Sequence, residues 1–164
     1  MSVTDEDQSA ASGRANTFPW PPVLLAVSLV FAWLAGRLAP LSWPGVDDLA
    51  ARVVGIGFGA AGIALIFWAI ATLRRANTTV MPHKRSEHLV TSGPFARFRN
   101  PIYLGEVLLM LAIAELTKNV YFVIAALFFA ISVTQLQILA EERHLSARFG
   151  DAYEAYRARA RRWI

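Results

Sequence analysis

The stretch Val120–Ala140, VYFVIAALFFAISVTQLQILA, runs the length of a bilayer crossing without a charged side chain. About 20 apolar residues are needed to cross the hydrocarbon. A backbone placed there must pair its N–H and C=O groups internally, so the stretch is predicted as a helix rather than a strand. Working back along the chain, Leu116–Asn119 reads as a tight turn, and Pro101–Leu116 before it is a second, shorter apolar run carrying Glu106. The two runs form an antiparallel helical hairpin. Ala51–Leu73 is long enough to cross comfortably, and Pro22–Ala39 sits near the lower limit. The fold expected is an all-α integral membrane helical bundle, with about four transmembrane helices (22–39, 51–73, 101–116 and 120–140) plus a C-terminal interfacial or cytoplasmic helix. Hydrophobic residues make up 55% of the 164-residue chain, and its mean hydropathy is +0.41. Residues 19–164 then read as a single membrane domain. Residues 1–18, polar and acidic at Asp5, Glu6 and Asp7, read as a disordered tail.

Local signals place the helix ends. Pro21 and Pro22 suit a first turn, where a missing N–H costs nothing. Asn100 is expected to cap the third helix through its side-chain oxygen, with Pro101 at the first helical position. In the second helix Gly55 and Gly59 form a small-xxx-small pair that admits a close neighbour. Lacking a preceding strand, these glycines do not make a nucleotide loop. The fourth helix is predicted to run on to Phe149, with Gly150 as a left-handed terminus. Asp151 and Glu154 are spaced as a capping box for a last helix bearing Tyr153 and Tyr156, with Trp163 beyond.

Charge is distributed by place. Of 16 basic residues, six lie in Arg74–Asn100 and six in Glu141–Ile164. The positive-inside rule puts both clusters, and with four spans both termini, on the cytoplasmic side. Arg157, Arg159, Arg161 and Arg162 read as a basic run at the membrane surface, facing membrane lipids rather than nucleic acid. Glu115 reads as solvated near the opposite interface. No cysteine is present, which excludes disulfides, thiolate metal sites and cysteine nucleophiles. His83, His88 and His144 have no recognised ligand spacing, so no metal site is expected.

Two polar patterns flank the hairpin: His88-Leu-Val-Thr-Ser-Gly93-Pro-Phe-Ala-Arg-Phe-Arg99-Asn100-Pro101-Ile-Tyr103-Leu-Gly105, and Glu141-Glu142-Arg143-His144-Leu-Ser-Ala-Arg148-Phe149-Gly150-Asp151-Ala-Tyr153-Glu154-Ala-Tyr156. With the final Arg162-Trp163, they resemble the isoprenylcysteine carboxyl methyltransferase and phospholipid methyltransferase group of membrane enzymes. The resemblance runs from about Thr79 onward, with cofactor motifs at 79–105 and 137–163. It implies transfer of a methyl group from S-adenosylmethionine to a lipophilic acceptor entering from the bilayer. Carried onto this chain, it implies cofactor binding by His88, Leu89, Val90, Gly93, Arg99, Asn100, Tyr103, Glu141 and Glu142, and catalytic roles for Arg99, Glu142 and Arg148. Where the family has a histidine, this chain has Asn100, an amide that can donate but cannot carry charge.

The chemistry is consistent with that assignment. Carboxylates suit the ammonium or ribose hydroxyls of the cofactor, and a guanidinium fork suits its carboxylate. Methyl transfer is an in-line displacement that depends mainly on alignment. A carboxylate acceptor, as in isoprenylcysteine methylation, needs only a cation to position it. An amine of a phospholipid must also lose a proton, and a small thiol is a further acceptor class. Isoprenylcysteine-like carboxyl methylation is the activity expected first. An NADPH-dependent sterol-reductase-like protein and an inactive membrane scaffold are the other readings the same motifs allow. Glu106, a charge inside an apolar run, is a functional candidate in its own right.

Overall fold

The computed structural model describes residues 20–41, 43, 46, 49–76 and 89–164. The N-terminal tail, His83 and His88 lie outside the described residues. Helix α1 spans Trp20–Leu38, α2 Leu49–Arg75, α3 Pro101–Thr117 and α4 Tyr121–Val133. A π-helical turn, Thr134–Ile138, carries α4 without a break into α5, Leu139–Phe149. The three together form one rod of 29 residues. Gly150, at φ +50°, turns the chain into α6, Asp151–Arg159.

The α3–α4 hairpin is the centre of the bundle. α2 packs on its α3 side and α1 on its α4 side. The core runs through Leu24, Met110, Phe122, Phe129, Val133 and Ile138. The outward faces carry exposed Phe31, Phe67, Trp68, Leu127, Phe128 and Ile131, a surface that suits hydrocarbon rather than water. α1, α2 and the α4–α5 rod are each long and apolar enough to cross a membrane. α3 has 17 residues, about 26 Å of helix against a hydrocarbon core of about 30 Å, so the count of four spans is approximate.

Small residues set the α2–α3 distance. Gly55, Gly59 and Gly62 step down α3 against Glu115, Ala112 and Gly105. The expected Gly55–Gly59 pair does admit α3, with a Cβ on Gly55 falling 2.7 Å from Glu115 Cγ, and backbone meets backbone further along at Gly62. A Cβ on Gly62 would stand 2.7 Å from the Gly105 carbonyl oxygen, and one on Gly105 2.8 Å from that of Gly62. At the opposite end of α3, Lys118 adopts the left-handed conformation, φ +52°. Asn119 then ties the hairpin to α1. Its Oδ1 accepts from the Tyr121 N–H at 3.0 Å, and its Nδ2 donates to the Ala32 carbonyl at 3.1 Å. Glu115 is not simply solvated there: it forms an ion pair with Lys118, and both side chains are largely covered.

Two expected caps take other forms. Pro101 does open α3, but Asn100 makes no side-chain cap; its amide is used elsewhere. The capping box of α6 is also absent. Glu154 instead accepts a hydrogen bond from Ser146 Oγ at 2.8 Å and pairs with Arg157 at 3.3 Å, fastening α6 back onto α5.

Candidate active site

The two polar patterns meet at one end of the bundle. Gly93–Ala96 forms a single 3-10 turn seated on the last turn of α2. Gly93 has φ +60°, and a Cβ there would lie 2.6 Å from Thr72 Oγ1. The backbone beyond it pairs with the tail after α6. The Arg99 N–H donates to the Arg161 carbonyl at 2.7 Å, and the Arg161 N–H donates to the Arg97 carbonyl at 2.9 Å. This parallel bridge at Phe98 and Arg161 places Arg99, Asn100 and Arg162 beside one another.

Side chains complete the junction. Arg99 Nη1 donates to the carbonyls of Arg157 at 3.1 Å and Ala160 at 3.2 Å. Its Nη2 donates to Glu142 Oε1 at 3.0 Å. Arg162 grips the same carboxylate with a fork, Nε to Oε1 at 2.9 Å and Nη2 to Oε2 at 2.7 Å. That hydrogen bond to Glu142 holds the Arg162 guanidinium's pKa above its ordinary value. Asn100 Nδ2 donates to the Arg162 carbonyl at 3.0 Å. The Trp163 N–H reaches Thr134 Oγ1, inside the π turn, at 3.2 Å. The tail is therefore strapped to the start of α3 and to the α4–α5 rod at once.

Below the strap, Tyr153, Tyr156 and Ala160 are buried together, with Leu89, Leu145 and Phe149 packed against them. Tyr156 donates to the Phe95 carbonyl at 2.9 Å. Burial pushes the Tyr153 hydroxyl up to about 12, and the Glu142 carboxylate adds to that shift. The Tyr156 hydroxyl is raised by burial in the same way.

A second polar row lies toward the interior. Glu141 accepts a hydrogen bond from the Gln137 side chain. Gln137 is only 2% exposed, and its Oε1 has no partner. Tyr103, on α3, lies within Coulombic range of both Glu141 and Glu106. Glu106 Oε2 is enclosed and likewise unpartnered, as is Arg99 Nε nearer the surface.

The structure thus brings together Arg99, Asn100, Glu142 and Arg162 at the strap, and Tyr103, Glu106, Gln137 and Glu141 inside it. Leu89 and Val90 are half-buried, Leu89 against the tyrosines. Gly93 sits beside α2, and His88 is outside the described residues. Arg148 stands apart and exposed, its guanidinium 5.6 Å from the Phe149 ring centre. Arg162 is not part of a surface run; it is a partner of Glu142. Gln137 is absent from the sequence-derived set, although an amide inside an apolar helix is a readable signal.

The fold is thus an outward-apolar helical bundle with carboxylates, guanidinium groups and amides gathered at one end. The family is explicit in the sequence: residues 50–152 match the phospholipid methyltransferase profile, and the chain belongs to that family. The match runs from α2 through the first residues of α6; it takes in Arg99, Asn100 and Glu142 and the inner polar row, and ends before Arg162. A Haemophilus influenzae protein described only as uncharacterized is 33% identical over 63 residues, which are 38% of this chain and all of the relative. No solved structure matches the chain.

Proposed function

We propose that this protein transfers a methyl group from S-adenosylmethionine to a lipophilic acceptor at the membrane face where α3, α5 and the tail converge. The supporting observation is that convergence: Arg99, Asn100, Glu142 and Arg162 share one hydrogen-bonded cluster although 63 residues separate Arg99 from Arg162 in sequence. The donor set fits the cofactor. Glu141 and the unpartnered Gln137 Oε1 suit an ammonium, and the unpartnered Arg99 Nε suits a carboxylate. Leu89 and Val90 offer half-buried apolar surface for an adenine. When bound, the cofactor supplies an activated methyl group; the protein holds and aligns the two reactants and excludes water.

On acceptor chemistry the cluster favours an amine over the isoprenylcysteine-like carboxylate expected first. Arg99 and Arg162, the cations that would hold a carboxylate, are both engaged by Glu142. The unpartnered, enclosed Glu106 Oε2 accepts rather than donates. A phospholipid headgroup amine is therefore the acceptor proposed, in line with the family's description. Carboxyl methylation would have to rely on exposed Arg148. Multi-pass insertion with both termini on the cytoplasmic side is proposed from the charge distribution.

The test is to incubate purified protein with methyl-labelled S-adenosylmethionine and a lipid extract, then identify the labelled species. Label in an amine headgroup supports the reading. Label in a base-labile ester restores the carboxyl reading. Binding of NADPH, with none of S-adenosylmethionine, would move the protein to the reductase class, and binding of neither would leave a scaffold.

A further inference from the structure

We propose that Glu106 receives the acceptor's amine, holding it on the α3 side of Tyr103 while the methyl donor lies on the Glu141–Gln137 side. The inference rests on the reading above that an amine lipid is methylated, and it assigns the residue that recognises that lipid. Glu106 lies five residues into α3, about 8 Å along the helix from Pro101, a depth a headgroup at the interface can reach. A carboxylate placed inside an apolar helix is costly unless something neutralises it. Among the described residues Glu106 has no ion-pair partner, and its Oε2 is shut away from solvent with no hydrogen-bond donor.

Helical geometry places the residue further. Gly105 is closed against α2, since a Cβ there would stand 2.5 Å from Ile66 Cγ1. Tyr103 and Val107 pack toward the α4 core. At about 100° per residue, Glu106 lies about 60° from Tyr103 and about 100° from Gly105 around the helix. It therefore occupies the flank of the hairpin, beside Tyr103 and clear of the α2 seam. Tyr103 is within Coulombic range of both Glu106 and Glu141. Gln137, hydrogen-bonded to Glu141 and 2% exposed, keeps its own unpartnered oxygen for the ammonium of the methyl donor. The unsatisfied atoms in this interior row are oxygens that accept. An ammonium, with three N–H donors and a positive charge, matches them, whereas a phosphate or carboxylate does not.

Two carboxylates on different helices, both within Coulombic range of Tyr103, give a displacement its two sides. The ammonium passes one proton to the Glu106 carboxylate. The freed nitrogen lone pair forms the N–C bond as the C–S bond of the sulfonium breaks, with that electron pair remaining on sulfur. The nitrogen ends as a methylammonium, the sulfur as a neutral thioether, and Glu106 returns its proton to water before the next turnover. Charge and atoms balance without a further reactant.

The test reads lipid binding separately from turnover. Native mass spectrometry of the purified protein, with added phosphatidylethanolamine, phosphatidylcholine or phosphatidylglycerol, should show wild type retaining phosphatidylethanolamine in preference to the other two. Glu106→Gln should lower that retention about tenfold, the factor carried by one lost charge-assisted hydrogen bond. Glu106→Asp, which keeps the charge, should retain part of it. Affinity for S-adenosylmethionine, measured by titration calorimetry, should be unchanged in both variants, and Glu115→Gln at the far end should bind lipid like wild type. Wild type without a preference for the amine lipid, Glu106→Gln with the preference intact, or a loss confined to cofactor affinity would each overturn the assignment. A Glu106-dependent preference in a protein that binds no S-adenosylmethionine would uphold the site and remove the methyl-transfer reading.

Discussion

Replacing Glu142 by glutamine removes the charge on which two guanidinium groups converge. Three hydrogen bonds end on its carboxylate, at 3.0, 2.9 and 2.7 Å. The consequences differ between the partners. The Arg99 side chain is 11% exposed and keeps its two carbonyl acceptors, whereas the Arg162 side chain is 36% exposed and can turn toward water. Breaking a fully buried pair costs about 3–5 kcal/mol; with one partner able to rehydrate, about 2–3 kcal/mol is the expected loss. For a chain of this size each kcal/mol moves the melting midpoint by about 2–4 °C, so the expected fall is about 4–12 °C. The assay is thermal unfolding in nanodiscs followed by tryptophan fluorescence, with Trp163 reporting on the strap. Arg162→Gln and the double variant complete a cycle in which coupling of about 1–2 kcal/mol is expected. A Glu142→Gln midpoint within a degree of wild type, together with strictly additive losses, would refute the claim that the strap is held through this carboxylate.

Three further predictions concern other parts of the structure. Gly105→Ala forces a Cβ to 2.5 Å from Ile66 Cγ1 and should cost about 1–3 kcal/mol; Gly57→Ala, which meets open space, should be neutral or gain up to about 1 kcal/mol, and equal behaviour of the two would contradict the seam. Gly93→Ala combines a left-handed strain of about 1–2 kcal/mol with contact against Thr72 Oγ1, so Thr72→Ala in the same protein should restore part of the lost midpoint. Tyr153, buried with its hydroxyl raised to about 12, contributes stability that is present below its unfolded value near 10 and lost as pH rises through 12. That amounts to about 2–3 kcal/mol, so equilibrium unfolding should show a decline above pH 10 that Tyr153→Phe makes shallower; an identical profile would rule the tyrosine out as its source.

Much of the bundle was legible because lipid imposes simple constraints. A long uncharged run has one viable conformation, and Asn100-Pro101 and Lys118-Asn119 mark helix ends through their own local chemistry. The convergence of the two polar patterns also followed once the hairpin between them was read. What stayed hidden was pairing across distance. Arg162 looks like its neighbours Arg159 and Arg161 in sequence, and only the parallel bridge at Phe98 turns it inward. Asn100 carries the signature of a cap, yet its amide is drawn to the Arg162 carbonyl because the tail runs alongside. Glu115 looks exposed until Lys118, in its left-handed turn, is placed over it. In each case the decisive partner is contributed by another part of the chain, and local propensity carries no record of it.

The π turn at Thr134–Ile138 gives the central rod two angular phases. Ahead of it, Phe122, Ala126, Phe129 and Val133 form one inward line; beyond it the wider turn resets the heading so that Gln137, Glu141 and Glu142 also point inward. Such turns are one-residue insertions in an otherwise regular α-helix. Excising a single residue there, for example Gln135, would let the wide turn close to a regular α-helical one, and the side chains downstream would keep their heading. Adding a residue just beyond it, where no wide turn absorbs it, would rotate every later side chain by about 100°. Glu141 and Glu142 would swing away from their partners while hydropathy barely changed: a lesion in azimuth alone, invisible to any measure of membrane insertion.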